Sequence, residues 1–565
     1  MAKTTFYVCS PTQSKEKLFV VGDCVSLGQW LPHKAVQLHL HAELEDSQKV
    51  LPSILRREAA EYRILFLLYV DGTSGSAGSP LLYGDYGGSS CIQNGWLTCQ
   101  SEIHLRLHSD ALKSSKYSGF RVHCSAFRCM DDGSNVPIED TMVAVLGDEN
   151  PLHVAQTEEG TLINRDDYVE FSLQTCFTDS VAFCLTVRSD EGEFLGRVHL
   201  PPLKTNEGVT HAAIVSNDHH ITGVLRVDHL IVRPLANHTS DMRVSYAQHW
   251  KQREEALHIG HRGSGNSFSK TSAKICENTL RSLQYAGDHG ADLVEFDVHL
   301  SHDRVPIVYH DFNVCVAATE AANSAADQWL PVPIHSLTTA QMKALKFGHM
   351  SELGQFPKER SDDRSADLQL FTPLKEFLST IDPLTGFNLE IKYCCREKSG
   401  SYEEGLEYFE ERNSYLDCIL ENMLPFAKKR RILFSSFDPD ICTLLALKQP
   451  TFPVFFLSLG KTLKYVPYLD PRGNDAFTAA NFCRSRGLMG VVVHAEDILR
   501  DLTIIQKLKK QGLRVFSWGD DNNSPENLKL QQNHGVDGLI YDRIYENRGE
   551  GNIFKRSKKS ENGTE

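Results

Sequence analysis

The pattern of apolar and polar positions along the chain changes near residue 257. Before that point, short β-type segments follow one another. Tyr62–Val70 is an apolar run that ends at an Asp-Gly turn, and Ile103, Leu105 and Leu107 alternate with polar residues. Alternation with a period of two is typical of a half-buried strand. We therefore expect the first 235 residues to consist mainly of β-structure.

This β-rich region is predicted to form two domains followed by a connector. Residues 1–112 form an all-β module, and residues 118–235 form a second, sandwich-like β domain. Residues 236–256 are polar and partly helical in pattern, which indicates a connector.

From residue 257 onward, buried strands alternate with helical stretches. The eight predicted strands are 257–262, 293–300, 386–393, 431–437, 453–459, 490–496, 513–518 and 536–541. The helical patterns between them include Thr279–His289, Thr338–Phe347, Pro373–Ile381 and Leu502–Gln511. Eight strands separated by crossovers are typical of a closed (β/α)8 barrel of the TIM type. We assign this barrel to residues 257–550 and expect the tail, 551–565, to be disordered.

A ninth apolar run, 305–310, does not fit the alternation of strands and helices. Only four residues separate it from the preceding strand, which is too short for a parallel crossover. We therefore predict that it is the return arm of a hairpin at the barrel rim. If Leu300 lies opposite Val305, the constant index sum of antiparallel partners places Glu295 opposite His310.

Composition and charge narrow the class of protein. The chain has 565 residues, of which 41% are hydrophobic and 23% are charged, as in ordinary globular proteins. Its net charge of −14 argues against nucleic acid as a partner. No run of about 18 apolar residues predicts a transmembrane segment, and no signal peptide is recognisable. We therefore expect a cytosolic protein whose 15 cysteines are reduced.

Three carboxylates are predicted to lie together at the mouth of the barrel. Side chains alternate across a strand, so Glu295 and Asp297 share one side, as do Glu390 and Lys392. Three negative charges would force one carboxylate to take up a proton unless a cation is present. Ligation by oxygen atoms alone favours Mg²⁺ or Ca²⁺ over zinc. The alternative interpretation is a set of surface ion pairs with Lys392 and Arg262.

Two histidines are predicted beside these carboxylates. His261 and His310 each end a segment at the barrel rim, and imidazole titrates near neutral pH, as general acid–base catalysis requires. Arg262 offers a bidentate fork for phosphate, and Lys392 adds a second positive charge. Together these groups predict cleavage of a phosphoester. The histidines that we expect to be packing or surface residues are His258, His299 and His302.

The barrel residues resemble the glycerophosphodiester phosphodiesterase family. The matching positions, in order, are His261-Arg-Gly263, Glu277-Asn-Thr279, Glu295-Phe-Asp297, His310-Asp311, Asn388-Leu-Glu-Ile-Lys392, Trp518 and Asp537-Gly538. The resemblance implies catalytic roles for His261 and His310. It implies that Glu295, Asp297 and Glu390 bind a divalent metal, and that Arg262 and Lys392 stabilise the phosphate charge.

The N-terminal segment Leu18–Val36 resembles a starch-binding module of carbohydrate-binding family 20. Such modules stack sugar rings on exposed aromatic side chains. The resemblance implies that Trp30 contacts a starch-like or glycogen-like glycan, with Tyr83 or Tyr86 as a second platform. The alternative is that Trp30 has only a structural role.

The order of these domains resembles members of the phosphodiesterase family that act on small soluble diesters. It implies cleavage of sn-glycero-3-phosphocholine to glycerol 3-phosphate and choline. Tyr393, Phe437 and Trp518 lie near strand ends, where aromatic rings would surround a quaternary ammonium group. Two alternatives remain open. One is a lysophospholipase D or phosphoinositide phospholipase C-like hydrolase, and the other is a glycogen-tethered scaffold with a weakly active barrel.

Overall fold

The computed structural model describes residues 97–236 and 255–547 with several internal gaps, together with four short strands nearer the N-terminus. The chain divides into two compact units. The first comprises Met1–Val145, Leu152–Val244 and Leu447–Thr451, and the second comprises Leu146–Pro151, Ser245–Ala446 and Phe452–Glu565.

Two antiparallel strand pairs are described at the start of the chain. Thr4–Tyr7 pairs with Leu67–Val70, and Phe19–Val20 pairs with Val36–Gln37. The residues predicted to contact a glycan, Trp30, Tyr83 and Tyr86, lie outside the described residues.

The other described residues of the first unit are built on one antiparallel sheet of eleven strands. They are Ser101–Leu107, Gly119–Cys129, Asn135–Ile138, Met142–Val145, Val154–Ala155, Thr161–Asn164, Val169–Thr175, Val181–Ser189, Phe194–Leu200, Glu207–Val215 and Ile221–Val232. One apolar core, which includes Val122, Phe171 and Leu185, packs along this sheet. The prediction of a β-rich middle region is confirmed.

Ser101–Leu107 differs from its prediction as a half-buried strand of the first module. It lies inside the eleven-stranded sheet, between Val169–Thr175 and Ile221–Val232. All seven of its residues are buried. Its apolar positions join the core, while His104 on the alternate side contacts Glu102 with a nitrogen-to-oxygen distance of 2.7 Å. The alternating side chains of this strand therefore face an apolar core on one side of the sheet and buried polar groups on the other.

The second unit contains the predicted closed barrel. Its eight barrel strands, numbered first to eighth, are Leu257–Gly260, Leu293–Leu300, Gly386–Ile391, Ile432–Ser436, Val454–Ser458, Gly490–His494, Arg514–Trp518 and Gly538–Tyr541. Neighbouring strands pair in parallel, and the first strand pairs with both the second and the eighth. This double pairing closes the barrel and confirms the predicted fold class.

The helices that the structure describes in this unit lie mainly between the barrel strands. They are Leu280–Asp288, Thr339–Ala344, Leu374–Thr380, Arg412–Ala427, Pro439–Lys448, Ala476–Ser485, Ala495–Arg500, Thr503–Lys510, Pro525–Asn533 and Ile544–Asn547. The helix predicted to reach Phe347 ends at Ala344 instead. Phe347–Gly348 joins a small sheet with Asn313–Ala317 and Trp329–Pro333, so backbone pairing replaces the last predicted turn.

The inside of the barrel follows the predicted alternation of side chains. Leu293 packs in one apolar cluster with Leu257 and Ile259 from the neighbouring strand. Phe296 has the opposite parity and stacks on Phe377 of an outer helix, with ring centroids 5.5 Å apart. Side chains at positions 295 and 297 therefore share the inner side with position 293.

The rim hairpin forms as predicted, but its register is shifted by one residue. Pro306–Val308 returns antiparallel to the second strand, with Leu300 opposite Pro306. The predicted pairing of Leu300 with Val305, and hence of Glu295 with His310, is wrong. Val305 belongs to the turn instead, because its carbonyl accepts a hydrogen bond from the Ser301 amide at 3.1 Å.

Candidate active site

The candidate site begins in a tight turn after the first barrel strand. Gly260 ends the strand, and a Cβ atom at this position would clash with the Gly263 carbonyl oxygen. Arg262 has a φ of 49° and Gly263 a φ of 86°, so the chain turns in the left-handed region. The turn also places the Arg262 amide 2.7 Å from Glu295 Oε2, to which it donates a hydrogen bond. His261 and Arg262 are thereby fixed beside the second strand.

The three predicted carboxylates converge from within the second strand and from near the end of the third. Asp297 lies opposite Glu390 in the register of these strands. Ligand oxygens of Glu295, Asp297 and Glu390 all lie within 4.8 Å of one another. Lys392 Nζ is 3.1 Å from a Glu390 oxygen and 3.8 Å from Asp297 Oδ1. That Asp297 oxygen is buried and makes no hydrogen bond among the described residues.

The electrostatics of this carboxylate group indicate a place for a cation. Burial and then the neighbouring Asp297 charge raise the pKa of Glu295, and burial is also the main reason that the pKa of Glu390 is raised. Burial opposes ionisation of Asp297 too, but His310 and Lys392 hold its pKa below the usual value. A crowded acidic group of hard oxygen atoms, one of them buried without a hydrogen bond, fits Mg²⁺ or Ca²⁺. These residues could therefore hold a divalent metal.

His261 is paired with a carboxylate from the far end of the chain. Its Nδ1 lies 2.8 Å from Oδ1 of Asp542, which directly follows the eighth strand. Burial disfavours the charged imidazole, but the charge and hydrogen bond of Asp542, together with the Glu295 charge, raise the pKa of His261 to about 9. The same contact holds the pKa of Asp542 below its usual value.

His310 has a similar carboxylate partner but the opposite electrostatic balance. Its Nδ1 lies 2.6 Å from Asp311 Oδ1, and its carbonyl oxygen is 3.1 Å from His299 Nε2. Burial, followed by the positive charges of Arg262 and Lys392, holds the pKa of His310 well below the usual value. The two histidines thus favour different protonation states in one site.

Arg262 is anchored so that part of its guanidinium stays available. Its Nη1 donates to Glu277 Oε1 at 2.7 Å, while its Nε is buried and makes no hydrogen bond among the described residues. Asn278, the next residue after that carboxylate, donates from Nδ2 to Asp297 Oδ2 at 2.9 Å. The segment before the first helix of the barrel therefore supports both the arginine and the carboxylate group.

The structure brings seven of the predicted residues into one site. They are His261, Arg262, Glu295, Asp297, His310, Glu390 and Lys392. Phe437 and Trp518 also meet, with ring centroids 5.1 Å apart at the carboxyl ends of the fourth and seventh strands. Tyr393 is instead buried in a separate aromatic group with Phe409, at a centroid distance of 4.4 Å.

Sequence reasoning missed several residues that hold the site together. Asp542 directly follows a buried strand, which is the signal that identified the other carboxylates. Asn278 lies on an irregular segment and offers no such signal. His299 was expected to be a packing residue, yet it contacts the His310 carbonyl. Glu403 was also missed, and it accepts a hydrogen bond from Tyr468 at 2.8 Å.

Comparisons with known proteins agree with this architecture. The glycerophosphoryl diester phosphodiesterase family matches residues 261–546, and the starch-binding domain matches residues 1–67. The chain is 33% identical to the human glycerophosphocholine phosphodiesterase GPCPD1, over 94% of this chain and 89% of the relative. It is 31% identical to the Candida albicans glycerophosphocholine phosphodiesterase GDE1, over 60% of this chain and 32% of the relative.

Solved structures match about half of the chain. A phosphodiesterase of Oleispira antarctica in complex with the product sn-glycerol-3-phosphate is 22% identical and covers 52% of this chain and 95% of its own, with a TM-score of 0.36. A glycerophosphodiester phosphodiesterase of Thermotoga maritima is also 22% identical and covers 52% of this chain and 97% of its own, with a TM-score of 0.33.

The fold and site define a (β/α)8-barrel protein with an acidic centre flanked by two carboxylate-paired histidines. With the similarity that spans nearly its whole length, the chain belongs to the glycerophosphoryl diester phosphodiesterase family. Among the described residues, no helix has both the length and the apolar character needed to cross a bilayer.

Proposed function

We propose that this protein hydrolyses glycerophosphodiesters and that its main substrate is sn-glycero-3-phosphocholine. The products are glycerol 3-phosphate and choline. The observation that carries the proposal is the joint site, in which two carboxylate-paired histidines flank three converging carboxylates and two cations. The similarity to relatives named glycerophosphocholine phosphodiesterases supports this choice of substrate.

In the proposed mechanism Arg262 and Lys392 bind the phosphodiester, because their positive charges attract the phosphate group. Both side chains lie beside the carboxylate group. Glu295, Asp297 and Glu390 would hold Mg²⁺ or Ca²⁺. When bound, such an ion polarises a phosphoryl oxygen and offsets the charge that develops on it. Asp297 and Glu390 hold the Lys392 ammonium in place, and Glu277 holds the Arg262 guanidinium.

His310 and His261 are the proposed base and acid. The low pKa of His310 leaves its ring neutral and able to accept a proton from the attacking hydroxyl group. That hydroxyl belongs either to water or to the glycerol of the substrate. The raised pKa of His261 keeps its ring protonated, so that it can protonate the choline oxygen as the phosphorus–oxygen bond breaks. One water molecule is consumed overall.

The test uses the full chain with Mg²⁺ or Ca²⁺ and a panel of glycerophosphodiesters, with the products identified. Glu295→Gln and His310→Ala should abolish turnover and leave the melting temperature near that of the wild type. Glu376→Gln and His302→Ala change the same residue types at exposed positions of this unit and should retain activity. Full activity in either site variant would contradict the proposal.

One observation favours a second candidate function, the hydrolysis of lysophospholipids. The segment after the fifth strand exposes Leu463 by 95% and Val466 by 51%, next to the aromatic pair at the barrel mouth. An acyl chain needs an apolar surface of this kind. Turnover of lysophosphatidylcholine above that of glycerophosphocholine, under the same conditions, would favour this alternative.

We further propose that the protein is cytosolic and that its N-terminal module binds glycogen. The match to the starch-binding domain over residues 1–67 supports glycan binding. Co-sedimentation of the full chain with glycogen should decrease in Trp30→Ala, while phosphodiesterase activity should be unchanged. Equal co-sedimentation of both proteins would contradict a role of Trp30 in glycan binding.

A further inference from the structure

An aromatic group lies at the same end of the barrel as the histidines and carboxylates. It consists of Phe437, Tyr465, His494 and Trp518. Trp518 is central, with ring centroids 5.1 Å from Phe437, 5.6 Å from Tyr465 and 4.7 Å from His494. His494 and Trp518 are the last residues of the sixth and seventh strands and lie opposite each other in register. Phe437, His494 and Trp518 are therefore attached to strand ends, while Tyr465 packs on them from the segment that follows the fifth strand.

The rings of this group differ in what they can offer a ligand. Tyr465 is 42% exposed, and Phe437 and Trp518 are partly exposed. The Trp518 Nε1 already donates a hydrogen bond to the Ser458 carbonyl at 3.1 Å. A ligand can therefore contact Trp518 only through the π face of its ring. His494 is fully buried behind Trp518, and neither of its ring nitrogens makes a hydrogen bond among the described residues. Burial lowers the pKa of His494, which keeps positive charge out of the group.

Carboxylates flank the aromatic group. Asp521 pairs with Lys464 at 2.9 Å and Glu496 pairs with Arg500 at 3.1 Å. Asp520 is exposed and has no ion-pair partner among the residues that the structure describes. Lys464 interacts with both Asp520 and Asp521, so one positive charge serves two carboxylates and this side of the mouth keeps net negative charge.

Tyr465 links this region to the phosphate-binding side of the site. Burial raises the pKa of Tyr465, Asp520 adds to the rise, and Lys464 and Arg262 oppose it. Tyr465 thus lies within electrostatic reach of both Asp520 and Arg262. The barrel mouth therefore has two different parts. Arg262 supplies positive charge on the side proposed to bind the phosphodiester, and Tyr465 with Asp520 supplies an aromatic ring and negative charge next to that side.

We propose that Phe437, Tyr465 and Trp518 form a subsite for the quaternary ammonium of the substrate, and that Tyr465 and Asp520 determine head-group specificity. This inference rests on the proposed hydrolysis of glycerophosphodiesters. A quaternary ammonium has no N–H donors, so it is recognised by π faces and by charge at a distance. A neutral head group gains nothing from either feature.

The test compares three substrates: glycerophosphocholine, glycerophosphoethanolamine and glycerophosphoglycerol. Tyr465→Leu should raise KM for the choline diester about tenfold, since one cation–π contact has this strength, and should change KM for glycerophosphoglycerol less than about twofold. Tyr465→Phe keeps the ring and should behave as the wild type. Asp520→Asn should raise KM for the choline diester about threefold at low salt and less at high salt.

Two substitutions on the same barrel serve as matched controls. Phe477→Leu removes an aromatic ring that is 38% exposed on an outer helix, and Asp501→Asn removes an exposed carboxylate. Neither should change KM for any of the three substrates. An equal rise of KM for all three substrates in Tyr465→Leu would contradict the proposed subsite. The ring would then contact every substrate alike, without selecting the quaternary ammonium.

Direct binding separates failure of the subsite from failure of the proposed function. Tetramethylammonium, titrated against the full chain and followed by intrinsic tryptophan fluorescence, should bind to the wild type and to Tyr465→Phe, and about tenfold more weakly to Tyr465→Leu. No turnover of any diester by the wild type would refute the proposed hydrolysis alone. Absence of tetramethylammonium binding to the wild type would refute the subsite, whatever the activity.

Discussion

The pairing of His261 with Asp542 leads to a prediction about the pH dependence of activity. Asp542→Asn keeps the size of the side chain and removes its negative charge. The carboxylate is the main group that raises the pKa of His261 from its ordinary value of 6.5 to about 9. Without it, burial disfavours the charged ring, so the pKa should return to about 6.5 or below.

The size of the effect follows from these two pKa values. A pKa of about 9 leaves about 97% of His261 protonated at pH 7.5, whereas a pKa of about 6.5 leaves about 9%. If the protonated ring is the acid, the rate at pH 7.5 should fall at least about tenfold. Activity that depends on a protonated group is lost as pH rises through its pKa. The alkaline limb of the profile should therefore move from near pH 9 to near pH 6.5.

The assay is kcat/KM for glycerophosphocholine between pH 5.5 and 10 at saturating metal. Asp501→Asn, an exposed carboxylate on the same unit, serves as the control and should reproduce the wild-type profile. The reasoning would be refuted if Asp542→Asn folds normally, with an unchanged melting temperature, and keeps its alkaline limb near pH 9. The acid would then be a different group.

Three further predictions concern the metal and the turn that holds the site. Excess EDTA should abolish turnover, and excess Mg²⁺ or Ca²⁺ should restore it; full activity in the chelator would exclude a catalytic metal. Asn278→Ala removes the hydrogen bond to Asp297 and should raise the metal concentration for half-maximal activity about 10- to 100-fold, while the exposed Asn422→Ala should not. Gly260→Ala forces a Cβ against the Gly263 carbonyl and should destabilise the fold by about 1–3 kcal/mol in thermal unfolding; an unchanged melting temperature would contradict the tight turn.

The barrel was largely predictable because its strands are buried on both faces. Such strands appear in the sequence as continuous apolar runs, and all eight were predicted close to their observed bounds. The polar residues that end these runs gave most of the site, because strand ends converge at one mouth. Glu295 and Glu390 were found by this signal, although nearly a hundred residues separate them.

Features that depend on long-range pairing or on turn geometry could not be read from local patterns. The hairpin register shifted by one residue because the turn from Ser301 takes in Val305. Ser101–Leu107 lies inside a large sheet because of strands more than sixty residues away. Asn278 reaches Asp297 because of the conformation of its loop. That conformation leaves no periodic pattern in the sequence.

The closure of the barrel has a consequence for when the chain can become active during its synthesis. His261 follows the first strand and Asp542 follows the last, so 281 positions separate two side chains that must touch. A ribosome-bound chain with seven completed strands already carries the three carboxylates proposed to hold the metal, yet His261 still lacks its carboxylate partner. Arrival of the eighth strand closes the barrel and pairs His261 with Asp542 in one event, so under the proposed mechanism unfinished chains lack the acid.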